Sequence, residues 1–338
     1  MTQSTPDPSR RLSLRYLAGA DVVASLPPLE ERLALAELTL RALVADSEMP
    51  PKIGVHPRAA GSFGHAMPAY LRGAAPDGSA DGLGMKWVTG FGTNNAAGLP
   101  AIHAVVVIND ATTGVPVGIL DGGPITAART AAVSGVAIRR FAPQVVGRPV
   151  RAAVVGAGIQ GRSHVEILGH VLPGVELAIH DRHPERAAAL VETALSRPGF
   201  GAARAEPSAR EAIATADVVV TAASFGPLRQ VMTNDWLRPE ALVVAVDYAT
   251  YCAAEVARTA ALFLVDDRPQ FLATRAAGDF LDYPDPGATL GEALIGRIPR
   301  PTGRVVVSHL GVGLADVVFG RSILAVAEAA DRGTVLPR

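Results

Sequence analysis

Cysteine, aromatic residues and net charge are all scarce in this chain of 338 residues. A single cysteine, Cys252, excludes an internal disulfide and any cysteine-rich metal cluster, and beside a predicted strand end it reads as a small packing residue. The formal net charge of −1 provides neither a basic face for nucleic acid nor an acidic tail for a cation. The N-terminus, MTQSTPDPSRR, has no apolar signal core, and no uninterrupted apolar run reaches membrane-spanning length. These absences predict a cytoplasmic protein with no nucleic-acid or membrane partner. His56, His65 and His103 match no zinc spacing, so no metal is expected and the histidines read as structural, with His65 kept as a candidate pocket residue. What the chain does have is aliphatic content: 49% of it is hydrophobic, ample for two domains with sizeable cores.

The stretch from Val150 to Leu172, VRAAVVGAGIQGRSHVEILGHVL, organises the rest. Val150, Ala152, Ala153, Val154 and Val155 are apolar or small, as in a strand buried on both faces of a parallel sheet. Gly156-Ala157-Gly158-Ile159-Gln160-Gly161 follows. Val165, Ile167, Leu168, Val171 and Leu172 then recur at helical spacing, which puts the glycines at a strand-to-helix turn. Gly156 permits the tight turn, Gly158 lets a pyrophosphate approach the backbone, and Gly161 lets the helix pack close to the strand. The free N–H groups and positive dipole end of the helix face the phosphates. A second strand-like run, Val175 to Ile179, leads to Asp181, twenty residues after Gly161 and placed to accept hydrogen bonds from the adenosine ribose. Asp181 disfavours a 2′-phosphate, whereas Arg182 and Arg186 attract one. NAD(H) is the favoured cofactor and NADP(H) the alternative.

Along the chain, the first ten residues are polar and proline-containing and predict a frayed tail. A short strand and a turn are expected from Leu12 to Leu26, then an amphipathic helix over Pro28 to Val44. Residues 49 to 122 read as short strands joined by turns, with hairpin loops at Asp77-Gly78 and at Asp110 to Gly114. Lys86 lies within the strand-like MKWV, where a half-buried lysine needs a solvent path or an anionic partner. Arg129 opens the alanine-rich run RTAAVSGVAIRRFA, which predicts a helix; an arginine in a first turn opposes the dipole, so a local anion would rationalise it. After the fingerprint, helices at Pro184 to Leu195 and Ala209 to Ala214 alternate with strands at Asp217 to Thr221, Ala241 to Val246 and Ala261 to Val265. This is the pattern of an α/β, doubly wound parallel sheet of Rossmann type. Ligands on such sheets lie at the carboxyl ends of strands, which draws attention to Thr221 to Ser224 and Val246-Asp247-Tyr248. The strand-like VVVSHLG and the helix after it are expected to return to the first domain. The predicted division is 1–140 with 305–338, and 141–304 for the nucleotide domain. Asp266-Asp267 reads as a helix cap.

Several blocks in this order resemble the ornithine cyclodeaminase / mu-crystallin family: GMKWVTGFGTNN, GLPAIHAVVVINDATTGVPVGILDGGPITAARTAAVSGVA, VVGAGIQGRSH, SHLGVGLADV and GTVLP. The resemblance spans nearly the whole chain. It implies a nucleotide domain inserted in a discontinuous α+β domain for substrate binding and dimerisation, a homodimer, and NAD(P)(H) chemistry on small α-amino and α-imino acids. Carried over by position, it implies that Lys86 and Arg129 grip the substrate carboxylate. Lys52 would be a third cation where many members carry arginine, keeping the charge and losing the bidentate fork. Thr130 would contact the cofactor phosphates beside Gly158, Ile159 and Gln160; Asp181 would take the ribose; Thr221, Ala222, Val246 and Asp247 would line the nicotinamide side.

Two positions depart from the ornithine-cyclising members: His65 stands where they have a glutamate, and Ala249 where they have the aspartate that handles the distal amine. Asp247, two residues earlier, is the remaining candidate acid. The cationic triad and the missing distal carboxylate favour an NAD(P)-dependent imino acid reductase or amino acid dehydrogenase; the alternatives are a cyclodeaminase and a cofactor-dependent binder without turnover. The wall of the substrate pocket is expected from Met67, Tyr70, Trp87, Phe91 and the 247 to 252 loop.

Overall fold

The computed structural model describes residues 13–224 and 230–337, so the polar N-terminal tail lies outside the described residues. The chain forms two compact units. The first ends at Arg129 and resumes at Val312; the second is Thr130–Gly311.

The described strands of the first unit make a mixed sheet in the order Thr334–Leu336, Leu14–Leu17, Pro116–Asp121, Ile102–Asn109, Gly82–Gly90, Phe63–Leu71, Ser47–Glu48, with Ile53–Val55 also pairing with Phe63–Leu71. Both expected hairpin loops close through left-handed glycines, Gly78 (φ 73°) and Gly114 (φ 74°). The turn expected after the first strand is a short helix instead, Gly19–Ala24, whose Asp21 accepts the Ala18 N–H at 3.1 Å and so caps an otherwise apolar segment. The helix Gly313–Ala329 lies across the three long strands on one face, and the helix Leu29–Ala45 packs against it. Side chains alternate between the faces of a strand, so Lys86 points under this helix cover while its neighbour Trp87 points to the other face.

In the second unit every strand pairing among the described residues is parallel, in the order Phe200–Ala205, Val175–His180, Arg151–Val155, Val218–Thr221, Leu242–Ala245, Val305–Ser308, Leu262–Val265, Ala288–Thr289. The order reverses at Arg151–Val155, where the chain leaves to one side for Val175–His180 and later returns on the other at Val218–Thr221. That reversal opens the crevice used by doubly wound sheets. The fully apolar stretches VVV at 218, LVV at 242 and VVV at 305 are buried on both faces, as interior parallel strands require.

The placement of Val305–Ser308 differs from expectation. It lies in the parallel sheet, between Leu242–Ala245 and Leu262–Val265, and the chain re-enters the first unit at Val312. A late strand inserted between two earlier ones has no local signature in sequence. The helix carrying Arg129 also starts earlier than expected, at Gly122, with Pro124 tolerated inside its first turn. Arg129 is therefore an interior helical residue rather than a first-turn one.

Candidate active site

Lys86 is 2% exposed and sits on the Gly82–Gly90 strand, whose register sets it opposite Met67. Its Nζ donates to Thr126 Oγ1 at 2.8 Å and to Asp316 Oδ1 at 3.3 Å. Arg129 Nε donates to the same Oδ1 at 3.2 Å. The anion sought for Arg129 is thus Asp316, from the helix Gly313–Ala329, although burial rather than the dipole is what makes an anion necessary. Desolvation drives Lys86 down from 10.5 to about 7; Asp316 opposes the fall and the charges of Arg129 and Lys52 add to it.

Lys52 directly precedes the Ile53–Val55 strand, and its charge acts on both Lys86 and His65. His65 shares the strand face of Met67, two residues away, stacks on Phe63 with centroids 4.5 Å apart, and is lowered to about 4 by burial and then by Lys52 and His56. It is a neutral imidazole at physiological pH. Met67 lies on the Lys86 face of the sheet, but Tyr70 and Trp87 face the other way, and Tyr70 donates its hydroxyl proton to Asp81. The expected pocket wall loses those two aromatics because strand periodicity sends them to the opposite side.

In the second unit, Gly156 has φ 103°, and a Cβ there would run into the Ala222 carbonyl. A Cβ on Gly161 would run into the Gly156 carbonyl oxygen. Around Gly158, the N-cap of the helix Ile159–Val171, nothing lies within 4 Å of a built Cβ. Two glycines are therefore demanded by the protein, and the third leaves open space before a helix N-terminus, a cradle suited to a pyrophosphate. Asp181 ends the Val175–His180 strand and accepts from Ala157 N at 2.7 Å and His183 N at 2.8 Å, which fixes it beside this loop. Arg182 is exposed, and Thr130 is buried on the helix Gly122–Phe141.

At the carboxyl ends of the Val218–Thr221 and Leu242–Ala245 strands, Asp247 accepts from Thr221 Oγ1 at 2.8 Å and from Ala223 N at 2.9 Å. Burial raises its carboxyl to about 7 against the pull of those two bonds. Val246 donates its N–H to the Thr221 carbonyl at 2.9 Å, and Ala222 follows it at the strand end. Ala249 is buried in the apolar core of this unit.

Two features escaped the sequence reading. Asp316 is the first; a lone acid inside the apolar run LADVVFG of a buried helix was the available signal. The second is a buried relay in which Ser134 Oγ bridges His164 Nε2 and His309 Nε2, each at 2.8 Å, while His164 Nδ1 donates to the Gln160 carbonyl at 2.6 Å. Burial lowers His164 to about 4, so it is neutral. With its proton on Nδ1, its Nε2 accepts from Ser134, whose oxygen in turn accepts from His309. The relay holds the first turn of the cradle helix.

A doubly wound parallel sheet whose first strand ends in a glycine cradle before a helix N-terminus defines a dinucleotide-binding α/β protein. The chain belongs to the ornithine cyclodeaminase/mu-crystallin family, whose model matches residues 20–330. It is 34% identical over 334 residues to nodulation efficiency protein NfeD of Rhizobium meliloti, covering 96% of this chain and 98% of that protein. Mouse ketimine reductase mu-crystallin is 30% identical over 263 residues, 76% of this chain and 78% of its own. The fold is shared with Thermococcus litoralis Δ1-pyrroline-2-carboxylate reductase, solved with NADH and L-proline, at TM-score 0.81 and 23% identity over 95% and 99% of the two chains.

Proposed function

We propose that the protein is an NAD(H)-dependent imino acid reductase, and in reverse an amino acid dehydrogenase. The observation that carries this reading is Lys86: a buried lysine brought to about 7 beside Arg129, Asp316 and Lys52, in a family with named ketimine and pyrroline-carboxylate reductases. Lys52, Lys86 and Arg129 hold the substrate carboxylate, with His65 a neutral neighbour. The glycine loop with Ile159 and Gln160, and Thr130, hold the cofactor phosphates; Asp181 takes the ribose; Thr221, Ala222, Val246 and Asp247 flank the nicotinamide. When bound, the reduced nicotinamide supplies the hydride that converts the C=N carbon to a C–H carbon. Lys86 delivers a proton toward the nitrogen in that direction and accepts one in the other.

Cyclisation of a diamino acid draws no support from the carboxylates present. Ala249 offers none, and Asp247 is buried with each oxygen already turned to its own unit, one to Thr221 and one to Ala223. The test is NADH consumption across 2-oxo acids with ammonia or methylamine and across cyclic imino acids. Ornithine and lysine are followed for ammonia release, because a cyclodeaminase regenerates its cofactor and leaves no net NADH signal.

The fixed carboxylate of Asp181 favours NADH. Asp181→Asn should shift the kcat/KM ratio toward NADPH about tenfold, close to 1.4 kcal/mol of relieved repulsion; an unchanged ratio would assign the choice to Arg182 or Arg186. The homodimer belongs to the same proposal. On the sheet face opposite Lys86, Ile53 (57% exposed), Trp87 (38%), Val105 (39%) and Tyr16 (41%) form part of an apolar surface. Such a face is the kind a second copy covers. Sedimentation should give a dimer for the native protein and a monomer for Trp87→Glu. Among the described residues no helix is long and apolar enough to cross a membrane; the reading places the enzyme in the cytoplasm, which cell fractionation tests.

A further inference from the structure

Of the 31 basic residues in the chain, two are lysines, Lys52 and Lys86, and all the others are arginine. Both lysines belong to one cluster, since the charge of Lys52 acts on Lys86. Lysine differs from arginine in being able to give up its proton near neutrality once desolvated. What surrounds Lys86 therefore decides whether it is a cation at working pH.

The groups facing it are Asp316 from the helix Gly313–Ala329, Thr126 and Arg129 from the helix Gly122–Phe141, and Lys52 before the Ile53–Val55 strand. Asp316 is the one of these that carries negative charge. It is fully buried; Oδ1 receives both Lys86 and Arg129, while Oδ2 has no hydrogen-bond partner among the described residues. A carboxylate that loads two cations on one oxygen and leaves the other unused is not there to complete a hydrogen-bond network. It lies in the first turn of its own helix, where the dipole favours an anion.

We propose that Asp316 is a positioning residue, whose Oδ1 holds Lys86 and Arg129 side by side and whose charge balances the three-cation cluster before the substrate carboxylate arrives. The inference deepens the reductase reading and rests on it for the part Lys86 plays in turnover, though not for the electrostatics. Burial, Arg129 and Lys52 all push the Lys86 ammonium toward losing its proton, and Asp316 pushes back. Removing that one charge leaves only the downward influences.

With two lysines, protein labelled with 13C at lysine Cε gives two side-chain resonances to titrate, and Lys52→Arg assigns them. Asp316→Asn keeps the shape of the side chain and removes its charge. The Lys86 midpoint should fall by about one unit or more, and the alkaline limb of kcat/KM for imine reduction should move with it. A structural role alone would lower activity at every pH and leave the midpoint in place. A Lys86 resonance that titrates in the variant where it does in the native protein overturns the proposal. If Asp316→Asn does not fold, Arg129→Leu reads the same cluster from the other side. There the Lys86 midpoint should rise, because a repulsion is gone and Asp316 serves Lys86 alone; a midpoint that falls or stays put overturns the proposal. These midpoints need no turnover, so a reductase assay that stays flat is a separate failure, of the catalytic reading alone.

Discussion

Lys86→Met is expected to lower kcat/KM for the imino acid about a thousandfold, roughly 4 kcal/mol of transition-state stabilisation. The loss combines a buried charge on the substrate carboxylate with a proton delivered at the right moment, and the second of these alone is typically worth 10²–10⁴ in rate, an order-of-magnitude range. The pH dependence separates the two roles. Burial pushes Lys86 down to about 7, so reduction should fall as pH rises through that value and the ammonium is lost. Oxidation of the amino acid should rise over the same interval, because the free amine is then available to accept a proton. Lys86→Arg keeps the charge and cannot deprotonate, so both limbs should flatten. Native turnover with only a higher KM in Lys86→Met would reduce Lys86 to a clamp and assign the proton to another group.

Two glycine substitutions should part company. Gly158→Thr should raise the Kd for NADH about a hundredfold, roughly 2.7 kcal/mol, while leaving thermal stability nearly unchanged. The added atoms enter space that the protein leaves open within 4 Å, the backbone there has negative φ, and threonine caps a helix about as well as glycine. Gly161→Val should lose both cofactor binding and stability, because its Cβ meets the Gly156 carbonyl and the helix must move off the strand. Calorimetric titration with NADH alongside thermal unfolding checks both. Unaltered NADH affinity in Gly158→Thr would mean that the open space before the helix is not where the pyrophosphate sits.

Much of the second unit was legible because its signals are local. The VRAAVVGAGIQG turn, the run to Asp181 and the DVVVT and ALVVAV strands each lie within a few residues, and each occupies the element its pattern implied. Lys86 also announced itself, as a cation in a strand otherwise fit for burial. Asp316 did not, because its partners stand 230 and 187 residues away and nothing in LADVV names them. The same holds for Ser134, His164 and His309, which come from two helices and the loop after Val305–Ser308. The sheet that takes Val305–Ser308 is not legible in its residues, because a strand's neighbours depend on crossovers rather than on its own composition. Trp87 and Tyr70 differ from expectation for a simpler reason: the period of two that buries Lys86 and Met67 turns them away.

Hydride should pass to the α carbon of an imino acid bound by the Lys52, Lys86 and Arg129 cluster. Turnover with NADH carrying deuterium at both C4 positions and a cyclic 2-imino acid checks this, with the product examined by mass spectrometry and NMR. The expected product is the cyclic amino acid carrying one deuterium on its α carbon for each NADH consumed. Deuterium-free product, or cofactor that binds while no imino acid in the panel is reduced, would contradict it.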